Sequence, residues 1–546
     1  MKLSSNTITR AAMVGASGLA LAAAFPKFNI NLLAWVAFVP LFYAIEGEPL
    51  RQVFGWAWLQ GFVCYVFSLY WIEITLHRFA GVHEAIAMLP MLLLAAVVAL
   101  YAAFAIWVAE FISRKRRISL VITAPVAWAA VEWIRSFFPI GFPWNLLGES
   151  AYRMLYLVQF AEFTGTYGVS ALIMLFNVVL FVVLFRRETR RVQMLALSAL
   201  TVLMVAAAGF GIWRVHQMDR EPAKGSLRIA MVQGDIPQSI KWNPNYLDQS
   251  VKVYFDQTAL AARQGVDLVV WPEAAAAFLF QPHDDYPAEF AGDAAYRKAL
   301  LELARNMDVP ILFGAPALGT EDGELGFYNR AYMVSALGKV AGYYDKIQLV
   351  PFGEYVPLKG VLGFFVRRVV HGFGDMFPGR TQTIFQVKGA KLGVLICYES
   401  VFPNLTRLAV KKGADILLNI TNDAWYGRSS APYQLLAMTA MRAIETKVPI
   451  VRVANTGISA VILPTGKITA PTPLFKRGTE IEDVKWRPER TVYTAFGDAF
   501  AEICFALMIA GLMFAVMWPR KLKPLEARVE EILSRNGKTT RHAAVN

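Results

Sequence analysis

The chain has 546 residues, of which 56% are hydrophobic and only 17% charged, with a mean hydropathy of +0.42. A soluble globular chain carries about 25% charged residues, so this composition excludes a wholly soluble or disordered protein. The 54 Lys and Arg against 41 Asp and Glu leave a net charge of +13, which in so apolar a chain marks cytoplasmic membrane loops rather than a nucleic-acid surface.

Apolar runs over 8–25, 30–45, 53–76, 85–111, 118–134, 166–185, 192–213 and 496–518 predict an α-helical polytopic bundle of about eight spans. A hydrocarbon core of about 30 Å takes about 20 helical residues, and Met88–Ala109 and Val192–Trp213 supply that without a charge. The first run also has the form of a signal peptide, with Lys2 and Arg10 before an Ala-rich stretch. No clear soluble domain follows it directly, which favours a retained helix. Three basic clusters, Arg114 to Arg117, Arg186 to Arg191 and Arg520 to Lys523, fall on one side if the N-terminus lies there too. Seven spans within 1–220 then place 221–495 on the opposite, non-cytoplasmic face. An eighth span at 496–519 returns the chain, and 520–546 forms a basic cytoplasmic tail. Glu73 and Glu132 sit near span ends, where function, snorkelling and structural pairing are all open.

From Leu227 the texture changes to strand-length runs alternating with helical stretches. Residues 227–233, 267–271, 310–315, 331–335, 392–397, 415–420 and 450–454 read as strands; 246–264, 293–307, 403–412 and 431–446 read as helices. Continuous β-branched and leucine runs belong to strands covered on both faces. The pattern therefore predicts one α/β domain around a buried sheet.

Three cysteines, Cys64, Cys397 and Cys504, are too few and too scattered for a disulfide framework or a zinc site. Cys397 ends the strand LGVLIC and precedes Tyr398, Glu399 and a helix. A nucleophile on such a turn is exposed beside backbone N–H donors, although a lone cysteine is more often a small buried hydrophobe. The domain's two histidines, His283 and His371, lie in loops with no strand to hold them, so a Cys–His dyad has little support. Glu273 ends the strand of Asp267–Trp271, at the edge where a parallel sheet presents its ligands. Lys346 follows the strand-like 340–345. Taken singly, a cap and a solvated charge explain these two as well.

Taken together, Trp271-Pro272-Glu273, the Lys346 segment and Cys397-Tyr398-Glu399 resemble the Glu–Lys–Cys constellation of the nitrilase (carbon–nitrogen hydrolase) superfamily. Asp345-Lys346-Ile347-Gln348-Leu349-Val350-Pro351-Phe352-Gly353-Glu354-Tyr355-Val356-Pro357 and Asn419-Ile420-Thr421-Asn422-Asp423-Ala424-Trp425-Tyr426-Gly427, flanked by the spans, narrow it. They resemble the apolipoprotein N-acyltransferase family over nearly the whole chain up to about 520. The short first run is a minor departure, and the tail has no assigned role.

The resemblance implies an α/β nitrilase-like αββα sandwich on the periplasmic side of a bacterial inner membrane. The donor would be a membrane phospholipid, typically phosphatidylethanolamine; the acceptor would be the N-terminal amine of a diacylglyceryl-cysteine apolipoprotein. Glu273 would be the base, Cys397 the nucleophile that carries the acyl chain as a thioester, and Lys346 an oxyanion donor. Glu354, Tyr398 and Glu399 would support the site, and Trp242 and Trp425 would line it, with no cofactor or metal. Between the motifs, Lys359–Gly374 carries Phe364 and Phe365 around Arg367 and Arg368 with glycines at both ends. It reads either as a core helix or as an interfacial lid over the site. Two other functions fit parts of the pattern: a membrane-tethered nitrilase-like amidase, and a transporter or sensor with an extracytoplasmic binding domain. Seven spans before the domain exceed what a tether needs, and the longest spans carry almost no polar residues to line a path.

Overall fold

The computed structural model describes residues 5–186, 189–282, 293–321, 323–355, 376–487 and 489–517. The Phe364–Phe365 segment, His283, His371 and the basic tail lie outside the described residues. Each of the eight apolar runs contains helix, but they differ in reach. Among the described residues, five helices are long and apolar enough to cross a membrane: Thr7–Ala24, Glu84–Arg116, Ala161–Leu184, Arg190–Arg220 and Ala499–Met517. Leu50–Ser68 and Trp71–Arg78, bent by 48°, make a sixth if counted as one span. The second run is a 3-10 turn over Asn31–Trp35 followed by the seven-residue helix Val39–Ile45. Leu120–Arg135 has 16 residues and rises only about 24 Å at 1.5 Å per residue. The expected eight spans thus reduce to five or six by length and composition, because hydropathy does not register where a helix breaks. Leu195, Val202, Val205 and Trp213 stand exposed on Arg190–Arg220, an outer face suited to hydrocarbon rather than water.

The domain between the last two long helices holds two six-stranded sheets where the apolar runs predicted one. The first has the order β12-β1-β2-β3-β4-β5, with β1 Gly225–Gln233, β2 Leu268–Val270, β3 Ile311–Glu321, β4 Glu324–Val334, β5 Val340–Asp345 and β12 Gly478–Trp486. The second has the order β11-β10-β9-β8-β7-β6. Its strands are β6 Ile384–Val387, β7 Ala390–Ile396, β8 Ile416–Thr421, β9 Ile450–Ala454, β10 Ala460–Ile462 and β11 Ile468–Thr469. β1, β2 and β3 run parallel, as do β7, β8 and β9.

Strand alternation divides the side chains between two cores. Leu227, Ile229 and Met231 of β1 meet Val394, Ile396 and Leu418 of the second sheet. Ala230 and Val232, one residue out of phase, pack against Tyr254 and Leu300 of the helices Leu247–Ala262 and Asp293–Met307. On the far side, Leu417 and Ile450 join Ala409 and Ala440 of Pro403–Lys411 and Ala431–Thr446, in one core with the membrane helices. The layers are helix, sheet, sheet, helix and then bundle, an αββα sandwich seated on the apolar helices.

Buried charges fix that seat. Glu445 Oε1 accepts from the N–H and Oγ1 of Thr166 at 2.8 and 2.7 Å. It thereby caps the helix segment that restarts after Gly165, whose φ of +65° interrupts Ala161–Leu184. Arg442 donates to Thr166 Oγ1 at 2.7 Å and pairs with Glu445 at 3.0 Å. Glu162 pairs with both Lys447 (3.4 Å) and Arg214 (2.9 Å), and Arg214 also meets Glu489 (2.8 Å).

Candidate active site

The strand ends bring Glu273, Lys346 and Cys397 into one buried cluster. Glu273 leaves β2 through Trp271-Pro272 and lies against Gly314 of β3. A Cβ on Gly314 would come within 2.8 Å of Glu273 Cα and 2.4 Å of Ala274 N, so only glycine admits the backbone of this turn. Oε2 of Glu273 accepts from the Asn422 N–H at 2.8 Å, and Oε1 accepts from Asn329 Nδ2 at 2.7 Å. Lys346, directly after β5, points its Nζ at Glu354 Oε1 (2.7 Å) and Glu273 Oε1 (3.4 Å). Asn329 Nδ2 also donates to Glu354 Oε1 at 3.0 Å, and the Val350 N–H holds the other Glu354 oxygen at 2.8 Å. One ammonium and one amide thus bridge two carboxylates.

Cys397 begins the 3-10 turn Cys397–Val401 after β7 with a φ of +53°. A non-glycine residue held there is strained, and such strain recurs at nucleophile turns. Ser400 Oγ and Asn419 Nδ2 donate to its carbonyl at 3.2 and 3.3 Å and hold the turn. Cys397 is 6% exposed, and its thiol lies within the electrostatic reach of the Glu273 carboxylate and the Lys346 ammonium.

The charges act on one another. Burial and the Glu273 charge push the Cys397 thiol up to about 12, against the pull of Lys346. Burial also pushes Glu273 upward, but the charge of Lys346, the Asn329 hydrogen bond, the charge of Lys241 and the Cys397 thiol outweigh it and hold the carboxyl below its ordinary value. Burial works against the Lys346 ammonium, yet Glu354 and Glu273 keep it well above the usual lysine value. At rest the site is therefore a neutral thiol facing a carboxylate–ammonium pair.

The remaining sequence candidates take different places. Glu399 touches no reacting group. Its Oε1 accepts from the N–H groups of Ile347 (2.6 Å) and Gln348 (3.1 Å), and its Oε2 from that of Ile396 (2.7 Å), while the Tyr344 hydroxyl donates to both oxygens. It pins the chain after Lys346 to the chain before Cys397; burial raises this carboxyl to about 7 despite those donors. Tyr398 lies edge-on to Phe402 (4.9 Å) and stacks on Trp144 (6.3 Å) from the membrane part. Trp242 is half-buried beside Lys241. Trp425 is 39% exposed, and its carbonyl accepts from Thr75 Oγ1 at 3.0 Å, at the junction with the helix Trp71–Ala80.

Asn329 and Lys241 were not singled out from the sequence. For Asn329 a signal existed: it shares the inward phase of β4 with Ala331 and Met333, where a polar residue needs a partner. Lys241 sits in a single turn that has no pattern to read.

A family model described as carbon-nitrogen hydrolase matches residues 228–488, and one described as apolipoprotein N-acyltransferase N-terminal domain matches residues 17–179. The chain is 38% identical over 507 residues to an apolipoprotein N-acyltransferase of Geobacter metallireducens, covering 91% of this chain and 94% of that protein. It is 32% identical over 484 residues to the protein of that name from Pseudomonas syringae pv. tomato, covering 88% and 91%. To the one from Brucella suis biovar 1 it is 32% identical over 475 residues, covering 82% and 85%.

Proposed function

This chain belongs to the apolipoprotein N-acyltransferase family, and from that premise we propose that it moves a fatty acyl group from a membrane phospholipid to a lipoprotein through a thioester on Cys397. The coarse activity, N-acylation of lipoproteins, comes with the family. The donor is read as phosphatidylethanolamine, the acceptor as the α-amine of a diacylglyceryl-cysteine, and the step as the last in lipoprotein maturation. The basic loops support a multi-pass protein of a bacterial inner membrane with residues 221–495 on the periplasmic face.

One observation carries the mechanism: the Glu273 carboxylate meets the Lys346 ammonium at 3.4 Å in a buried cluster whose charges also act on the Cys397 thiol. With burial and the Glu273 charge pushing the thiol up to about 12, the protonated form dominates at pH 7. The proton must therefore leave as the bond forms. Glu273 takes the Sγ proton while sulfur bonds to the ester carbonyl carbon, and Lys346 with the backbone N–H after Cys397 faces the oxyanion. The adduct collapses with C–O cleavage. Glu273 returns the proton to the departing glycerol oxygen, which leaves a lysophospholipid and a thioester. In the second half the amine attacks the thioester, Glu273 accepts its proton, and the C–S bond breaks to give the amide. The departing sulfur then takes that proton back from Glu273. Burial of Cys397 disfavours water, which would otherwise compete with the amine.

The test is the mass of the full-length protein after incubation with isotopically labelled phosphatidylethanolamine and no acceptor. A hydroxylamine-labile acyl adduct should map to Cys397 and disappear when a diacylglyceryl peptide is added. An adduct elsewhere, or none, would overturn the reading.

Asn329 gives a further check. A hydrogen bond to a charged group contributes about 1.5–3 kcal/mol, or about one to two pH units on its acceptor. Asn329→Leu removes the donor that favours ionised Glu273, so the carboxyl titrates higher and the acidic limb of acyl-enzyme formation should move up by about that amount. An unmoved limb would reduce Asn329 to packing.

A further inference from the structure

The reaction above leaves one buried cation beside the base unused. Lys241 ends the turn Gln238–Lys241 between β1 and the helix Leu247–Ala262, and its side chain is only 3% exposed. Holding an ammonium out of water costs several kcal/mol unless it is well bonded. Yet among the described residues no carboxylate lies within 4.0 Å of it. Its Nζ instead donates at 3.0 Å to the backbone carbonyl of Glu273 itself, and the Trp242 ring lies 5.8 Å from the charge. That carbonyl belongs to the peptide joining Glu273 to Ala274, and Ala274 is held at a φ of +46°. The bond therefore falls on the strained link that aims the carboxylate.

Geometry and charge agree. The ionisable groups facing Glu273 are Lys346 after β5, Cys397 after β7, Asp423 and Tyr426 after β8, and Lys241, with Glu354 on the far side of Lys346. Of these the two lysines supply the positive charge that favours the carboxylate, and Lys346 is shared with Glu354. We propose that Lys241 is a positioning residue of acyl transfer: it holds the Glu273–Ala274 peptide so that the carboxylate stays aimed at Cys397, and it supplies the second positive charge that keeps this base ionised. This rests on the roles of Glu273 and Cys397 given above.

The proposal has a signature in pH. Burial lowers Lys241 to about 8, although Glu273 and Cys397 pull the other way. As pH rises through that value the lysine loses its charge, and acyl-enzyme formation should fall with it. Lys241→Arg stays charged across this range and should lack that fall. Lys241→Met has no charge at any pH: its rate at neutral pH should drop about tenfold, and its acidic limb should rise by about one unit.

The experiment uses full-length protein in phospholipid nanodiscs. It follows single-turnover acyl-enzyme formation from pH 4 to 10 (about half-unit steps) for wild type, Lys241→Met and Lys241→Arg. A parallel series measures alkylation of Cys397 by iodoacetamide, read by peptide mass. Alkylation reports the thiol and its base without phospholipid chemistry. If wild type is alkylated with the expected limbs but never acylated, the proposed function fails while Lys241 is still tested. A Lys241→Met profile that matches wild type after scaling, in both series, would overturn the proposal. If Lys241→Met does not fold, Lys241→Arg decides: losing the fall near pH 8 supports the proposal, and keeping it refutes it.

Discussion

Cys397→Ala should lower acyl transfer by a factor on the order of 10⁴ or more while leaving a folded, inserted protein, since removing the nucleophile of a covalent mechanism removes the path itself. The thiol's electrostatic neighbours include Glu273 and Thr421, both of which keep other hydrogen-bond partners. Its turn is held instead by Ser400 and Asn419 on the backbone carbonyl, so deleting Sγ leaves a small void and an intact strand end. Cys397→Ser separates position from chemistry. Its oxygen sits where sulfur sat, but a hydroxyl is harder to ionise and an ester is a poorer donor to an amine, so turnover should stay near background. Cys64 and Cys504 are buried in Leu50–Ser68 and Ala499–Met517, away from the strand ends, and their serine variants should retain transfer. The assay is conversion of a diacylglyceryl peptide by each variant, with thermal melts alongside. Activity of Cys397→Ala within tenfold of wild type would end the thioester mechanism.

What the sequence disclosed and withheld follows from the physics of each signal. The run of β8 is wholly buried and apolar but for Asn419 and Thr421, and it was legible as a covered strand. An apolar run shows that both faces are buried, not by what, so the two sheets merged into one. The hairpin of β3 and β4 extends to Glu321 and Glu324, well past the segments read from apolar character, because Gly319, Thr320 and Gly326 interrupt the apolar run of its far half. Of the expected eight spans, five or six are matched by helices long and apolar enough among the described residues, because hydropathy is blind to the break at Leu69 and Tyr70 and to the 3-10 turn at Asn31–Trp35. At the site, Glu273, Lys346 and Cys397 were legible because each follows a strand within a matching motif. Asn329 and Lys241 act through a bridging amide and a bond to a peptide carbonyl, which depend on partners distant in sequence. Glu399 was legible as a motif position, but not as a tie between two strand ends.

Lys346→Met should also abolish transfer at neutral pH, and its pH profile should resolve two losses that neutral-pH rates cannot separate. The ammonium sits 2.7 Å from Glu354 and 3.4 Å from Glu273; without it two buried carboxylates share Asn329 Nδ2 as a common donor. Like charges so placed do not both ionise readily. Glu273 should therefore titrate higher and be protonated, and useless as a base, at pH values where wild type works. That part of the defect is reversible. As pH rises through the new value the base returns, and the acyl-enzyme rate should climb. It should nevertheless level off about 10²–10³ below wild type, the cost of losing one oxyanion donor. Adding Glu354→Gln removes the second carboxylate, so the limb should move back toward acid while the plateau stays low. Single-turnover acylation of the single and double variants against pH distinguishes the cases. A Lys346→Met plateau that reaches the wild-type rate would leave the lysine as a partner of the base alone and assign the oxyanion to other donors. A limb unmoved by Glu354→Gln would break the electrostatic link between the two carboxylates.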